Sequence, residues 1–151
     1  MREVIYTMHF RGQASRSGGD TTVLKATSSG TSCNMETVVR ADGVSTTVHA
    51  VPGDLAFLEC ELRLTPPDRF DGTGTLSFGE ASEHSLRFAT VGGGHLERSA
   101  ERGRMAGSAS WRVEGGEGQF ESATGFVAST FTIGDDGDLS EYHCGMIFLP
   151  E

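Results

Sequence analysis

Apolar and polar residues alternate with a period of two along most of this chain, and clusters of turn-forming residues interrupt the alternation at short intervals. That pattern predicts strands with one dry face and one wetter face. In the run from Glu3 to Arg11, Val4, Tyr6, Met8 and Phe10 share one face, and Ile5, Thr7, His9 and Arg11 share the other. Gly12 to Asp20 is small and polar and reads as a loop. Thr21 to Thr27 reads as a second strand, Ser28-Ser29-Gly30 as a turn, and Ser32 to Arg40 as a third strand. Ala41-Asp42-Gly43 then closes a hairpin into Val44 to Val51. In Leu55 to Leu64, Leu58, Cys60, Leu62 and Leu64 face one way, and Phe57, Glu59, Glu61 and Arg63 face the other. Pro66-Pro67-Asp68 ends that strand, because proline cannot donate to a ladder.

The second half repeats the theme. Strands are expected over Phe70 to Glu80, His84 to Val91, Met105 to Glu114, Phe126 to Ile133 and Leu139 to Leu149. The charged stretch from Gly92 to Arg104 reads as a solvated connection or a short helix. No amphipathic helix of useful length appears. About eight or nine strands without a composition break point to a single all-β domain over residues 1–151, an antiparallel β-barrel of about eight strands.

Composition sharpens this picture. Of 151 residues, 21 are glycine, with no three-residue period and many threonines, serines and valines beside them. Collagen is excluded by the missing period. A helical bundle is disfavoured because an interior glycine costs a helix about 1 kcal/mol. Small residues next to large ones on one strand face, such as Gly107 and Ala109 beside Trp111, suit the tight curvature of a small barrel.

The formal net charge of −9 repels phosphate backbones and anionic bilayers, so neither nucleic acid nor a membrane is expected as a partner. Eleven arginines against one lysine, Lys25, suggest GC-rich codons and a bacterial source. The three cysteines, Cys33, Cys60 and Cys144, have no C-x-x-C spacing. With no signal-peptide core at the start, reduced thiols and a cytoplasmic location are expected.

Gly115-Gly116-Glu117-Gly118-Gln119-Phe120-Glu121-Ser122-Ala123-Thr124-Gly125 resembles the G-G-x-G-x-F-x-x-A-x-G signature of the allene oxide cyclase barrel group. Dirigent proteins and a set of bacterial proteins share that architecture. The resemblance is clearest from about Phe70 to the C-terminus. It implies a calycin-like barrel with a largely apolar cavity open at one end, in which a small hydrophobic molecule is isomerised, cyclised or bound. The N-terminal catalytic pattern of the plant cyclases does not map onto this chain, so their activity is not carried over. The motif's physical role is legible directly. Its glycines permit a tight reversal, after which Phe120 plugs one end of the barrel. A phosphate cradle is disfavoured, because no Lys-Ser/Thr and no helix follow.

The candidate chemistry lies on strand faces. His143 stands between Tyr142 and Cys144 with Glu141 nearby, and both faces of that strand carry apolar residues. Turned inward, it would serve as a general acid or base. Turned outward, it is an ordinary rim histidine. Glu59, with Glu61 and Arg63, reads first as an outward charged row. If the face is reversed, Glu59 becomes a proton-transfer partner. Cys60 reads first as a small hydrophobe.

Tyr6, Cys60, Phe78, Phe88 and Trp111 are the candidate ligand-contacting residues, against the plainer reading of barrel core. No histidine spacing supports zinc or iron. Asp135-Asp136-Gly137-Asp138 lacks the spacing of a calcium loop and reads as a hairpin turn. No metal and no cofactor are expected. The leading expectation is a small hydrophobic-molecule cavity protein, an isomerase or cyclase acting through His143 and Glu59. Its rivals are a carrier for a small apolar ligand and a solidly packed barrel that forms homo-oligomers.

Overall fold

The computed structural model describes residues 1–17 and 19–151. Ten strands run in chain order: β1 (Arg2–Ser17), β2 (Asp20–Arg40), β3 (Gly43–Ala50), β4 (Ala56–Thr65), β5 (Arg69–Phe78), β6 (His84–Thr90), β7 (Gly94–Arg98), β8 (Arg104–Glu117), β9 (Thr124–Gly134) and β10 (Asp138–Leu149). They pair in the order β1-β10-β9-β8-β6-β5-β4-β2, and β2 pairs back onto β1. The result is a closed ring of eight antiparallel positions, which leaves no free edge within the ring. Two strands share one position, since β7 continues the line of β6 by pairing β5 at Arg69 and Phe70 and β8 over 105–108.

Three sequence expectations change here. Gly12 to Asp20 is not a loop: β1 continues to Ser17, and Gly18 lies outside the described residues. Ser28-Ser29-Gly30 is not a turn, because β2 runs through it. Gly30 instead lets β1 come close, since a Cβ there would strike the carbonyl of His9. Within the charged stretch 92–104, Gly94–Arg98 is a strand rather than a solvated connection. Its Leu96 is buried among the core residues.

The core is the inside of the ring. On β4, β5, β6 and β8 it is built from the apolar face of the alternation, with Leu58, Leu62, Leu76, Phe88, Trp111 and Val113 buried, and Val127 on β9 and Ile147 on β10 join them. Large rings fit because glycines stand opposite them. Gly74 faces Phe88, Gly94 faces Phe70, Gly107 faces Phe131 and Gly145 faces Tyr6 in the cross-strand register. In each pair the ring occupies the place a Cβ would take. Phe120 closes one end, buried against Phe78 with ring centroids 5.7 Å apart, as the glycine motif predicts. The turns 66–68, 99–103 and 135–137 surround the other end. No helix is long and apolar enough to cross a membrane among the described residues.

Only the first part of β2 belongs to the ring. Beyond Ser32 it pairs with β3 alone, and the two strands form an exposed ribbon outside the barrel.

Candidate functional site

Ile147 and Leu149 belong inside the ring, so the two-residue period of β10 brings Glu141 and His143 inside with them. His143 is fully buried and Glu141 is 5% exposed. The ring of His143 packs between Phe10, edge-on at 5.6 Å, and Phe88 at 5.4 Å. Its Nδ1 is 2.9 Å from the Tyr6 hydroxyl. Its Nε2 points toward Glu141, with Oε2 at 4.0 Å, beyond hydrogen-bond range.

Whichever partner carries the proton in the Tyr6–His143 bond, Nε2 is left unpaired. Among the described residues it is the buried side-chain nitrogen or oxygen without a hydrogen bond. Such an atom needs explaining, because an orphaned buried polar group costs about 1–3 kcal/mol.

Burial also sets the charge state. Desolvation pushes the Glu141 carboxyl up to about 8 and the His143 imidazole down to about 4. At neutral pH the pair is therefore mostly a carboxylic acid beside a neutral imidazole. The Tyr6 phenol is raised as well, by burial first and then by Cys144 and Glu141. The Cys60 thiol is pushed well up, by burial first and then by Glu141 and Glu59, which makes it a poor nucleophile. An uncharged polar row, Glu141, His143 and Tyr6, thus crosses an apolar interior.

The space nearest this row lies toward the open end. A recess of about 370 Å³ lies there, between Ala14, Leu24, Leu96, Met105 and Ile133. A second, of about 250 Å³, adjoins it through Arg16, Leu96 and Met105. Leu24 and Ile133 also border a small inner void of about 10 Å³, which touches Cys60, Trp111 and Glu141. They form a throat between the recess and the row.

The expected central cavity is consequently not where the resemblance implies. Side chains fill the ring interior down to that small void, and the ligand-sized spaces lie at the mouth and on the outer wall. The glycines opposite the aromatic residues are the physical reason, since they let large rings lie flat across the interior.

The candidate residues fall into three groups. Tyr6 and His143 meet in one hydrogen bond. Cys60 and Trp111 line the inner void, and Phe88 packs on both His143 and Trp111. Phe78 points inward but stands at the plugged end, against Phe120 and His84, away from the throat. Glu59 requires a correction: it is exposed on the outer wall, where Glu61, Lys25, Arg87 and Glu114 surround an open recess of about 540 Å³ that also touches Cys60 and Phe88. The barrel wall separates it from His143, because β4 keeps its alternation and Leu58 and Leu62 take the inside. Glu141 is the carboxyl that accompanies His143. The signal for it was present, as Glu141 shares a strand face with His143.

The fold and the site define a closed antiparallel barrel with a buried acid–imidazole–phenol row. No protein-family model matches the chain, and no curated protein matches it. A solved structure similar to it is that of the pterocarpan synthase dirigent protein GePTS1, at 14% identity and a TM-score of 0.31, over 100% of this chain and 89% of that one. A likeness this distant assigns no family to this chain. It says nothing about chemistry.

Proposed function

We propose that this barrel binds a small, slim, largely apolar carbonyl compound end-on through its open end and isomerises it by proton transfer. The body of the ligand occupies the recess between Leu96, Met105 and Ile133, and its polar tip reaches Glu141 and His143. The observation that carries this reading is the unpaired, fully buried Nε2 of His143 facing the Glu141 carboxyl. A ligand oxygen or water would satisfy both groups.

The chemistry suits a pair whose proton affinities are driven apart by burial. With Nδ1–H donating to the Tyr6 oxygen, Nε2 presents a lone pair. Glu141 gives its proton to the carbonyl oxygen while Nε2 takes a proton from the adjacent carbon. One C–H bond breaks, one O–H bond forms, and no oxidant is consumed. The resulting carboxylate and imidazolium are close enough to return a proton through one water and reset the pair.

The small inner void favours a second reading, a packed barrel that acts through its surface. One experiment separates the two. Trp111 is the sole tryptophan and borders the void, so its emission reports ligand entry. A panel of medium-chain carbonyl compounds is titrated into the protein, and exchange of the hydrogens beside the carbonyl is followed in D2O. Saturable emission changes with catalysed exchange support the isomerase, and His143→Gln and Glu141→Gln should then bind without exchanging. Binding without exchange in the wild-type protein would leave a carrier. No binding across the panel would leave the packed barrel.

A further inference from the structure

At the root of the β2–β3 ribbon a recess of about 320 Å³ opens between the ribbon and the outer wall of the barrel. Its cause is local. Pairing of β1 with β2 ends at Met8 and Ser32. Beyond that point β2 swings out with β3, and the Val51 N–H donates to the Ser32 carbonyl at 2.8 Å to hold the root. Cys33 is buried at this branch point. Val48 and Ala50 of β3 make the apolar side of the recess, and His9 and Arg11 of β1, Thr31 of β2 and Tyr142 of β10 make the polar side. The volume is that of a small-molecule site at the lower end of the usual range.

The polar side is held in place, and its charge is uncompensated. His9 stacks on its cross-strand partner Tyr142, with ring centroids 4.4 Å apart and planes 12° apart, and its Nε2 is 2.8 Å from Ser140 Oγ. Arg11 has serines for cross-strand neighbours, Ser140 and Ser29, and no ion pair among the described residues. The acidic side chains on the same faces of β1 and β10 are elsewhere: Glu3 is at the far end of β1, and Asp138 lies 3.5 Å from Arg104. The positive charge is felt within the recess, since His9 is held below its ordinary proton affinity by burial first and by Arg11 second. On a chain of net charge −9, such a spot draws anions. A single fixed cation matches a monoanion, and a planar carboxylate fits a guanidinium.

We propose that this recess binds a small organic carboxylate, with the carboxylate on Arg11 and the short apolar body against Val48 and Ala50. The hydroxyls of Thr31 and Tyr142 are further donors to it. The site is on the opposite side of the barrel wall from His143 and Glu141, so it stands or falls independently of any chemistry in the interior.

Calorimetric titration with benzoate tests this. Saturable binding at one site is expected in the wild-type protein. Arg11→Gln should weaken it about tenfold or more, the loss of one charge-assisted pair. Val48→Asp, which sets a carboxylate against the ligand, should do the same. Arg112→Gln removes an arginine from the outer wall of β8, where it lies 5.8 Å from the Phe126 ring, and should change nothing. Benzamide, neutral and of the same shape, should not bind. Imidazole NMR gives a second readout: benzoate should raise the pKa of His9 in the wild-type protein, because a bound anion offsets Arg11, and should leave it unmoved in Arg11→Gln. The titratable groups that border the recess with His9 are Arg11, Cys33 and Tyr142. Trp111 emission should stay constant in every variant and throughout the titration, which shows an intact barrel and an empty interior. No saturable benzoate binding, equal binding of benzamide, equal losses in Arg11→Gln and Arg112→Gln, or a benzoate-dependent change in Trp111 emission would each overturn the proposal.

Discussion

The phenol ring of Tyr6 lies across Gly145, its cross-strand partner, in the space where any other residue would hold a Cβ. From there its hydroxyl reaches Nδ1 of His143, two residues back along β10, at 2.9 Å. The glycine thus sets the position of a hydrogen bond in which it takes no part. Gly145→Ala should cost about 1–3 kcal/mol, the usual effect of overpacking, and should displace the phenol from His143. Denaturant unfolding measures the first effect, and imidazole NMR shifts the second. Gly53→Ala is the comparison: nothing lies within 4 Å of a Cβ there, so its effect should stay below about 0.5 kcal/mol.

Stability should depend on pH through Glu141 and His143 in opposite senses. The folded His143 resists protonation, down to about 4 from an ordinary 6.5, so its contribution is complete above pH 6.5 and is lost as pH falls toward 4. The folded Glu141 holds its proton up to about 8 from an ordinary 4.5, so its contribution is complete below pH 4.5 and is lost as pH rises toward 8. Between 4.5 and 6.5 the two slopes cancel. At about 1.4 kcal/mol per pH unit, this pair should leave a flat top and a loss of roughly 2 kcal/mol between pH 6.5 and 8. Glu141→Gln should remove the alkaline loss and unmask a rise of roughly 3 kcal/mol from pH 4 to 6.5. His143→Gln should leave a continuous fall from pH 4.5 to 8. Unfolding curves across this range decide it, and parallel profiles for the three proteins would refute the assignment.

The barrel was readable in the sequence because most strands have one dry face. On β4, β8 and β9 the alternation of Leu58 with Glu59, Trp111 with Arg112 and Phe131 with Thr132 fixes which side is inside. On β10 it does not, since Met146 and Phe148 alternate with Ile147 and Leu149. The structure supplies the reason: Met146, on the outer face of β10, forms an exposed apolar patch with Ile5 and Phe126. The inward turn of His143, and with it the role of Glu141, was hidden by that second apolar surface. Gly30 misled for a related reason. Alone, a glycine signals a turn as readily as a close approach of two backbones, and only the pairing partner distinguishes them.

Trp111 offers a test of how tightly the interior is satisfied. Its indole N–H donates to Ser129 Oγ at 2.8 Å, and both residues are buried. Ser129→Ala removes the acceptor and leaves the N–H unpaired. Instability of about 1–3 kcal/mol is expected, with a shift in tryptophan emission. Ser129→Thr keeps the hydroxyl and should retain the wild-type emission. A change only in Ser129→Ala would assign the effect to the lost bond.

The throat makes the last prediction, which joins access to electrostatics. Ile133 and Leu24 separate the mouth recess from the void at Glu141. Ile133→Ala shortens one side of that barrier. In a sealed core such a truncation costs about 2–5 kcal/mol. Here the recess beyond is open, water can fill the space, and the cost should lie at the low end. Water beside Glu141 also weakens the desolvation that raises its proton affinity. The alkaline loss of stability should therefore shrink, and acrylamide should quench Trp111 more strongly. Leu62→Ala is the control. Leu62 is 4% exposed and borders the same void, but it faces no recess. Its truncation should destabilise the barrel fully while leaving quenching and the alkaline limb unchanged. Equal quenching in the two variants would show that the throat is not the entrance.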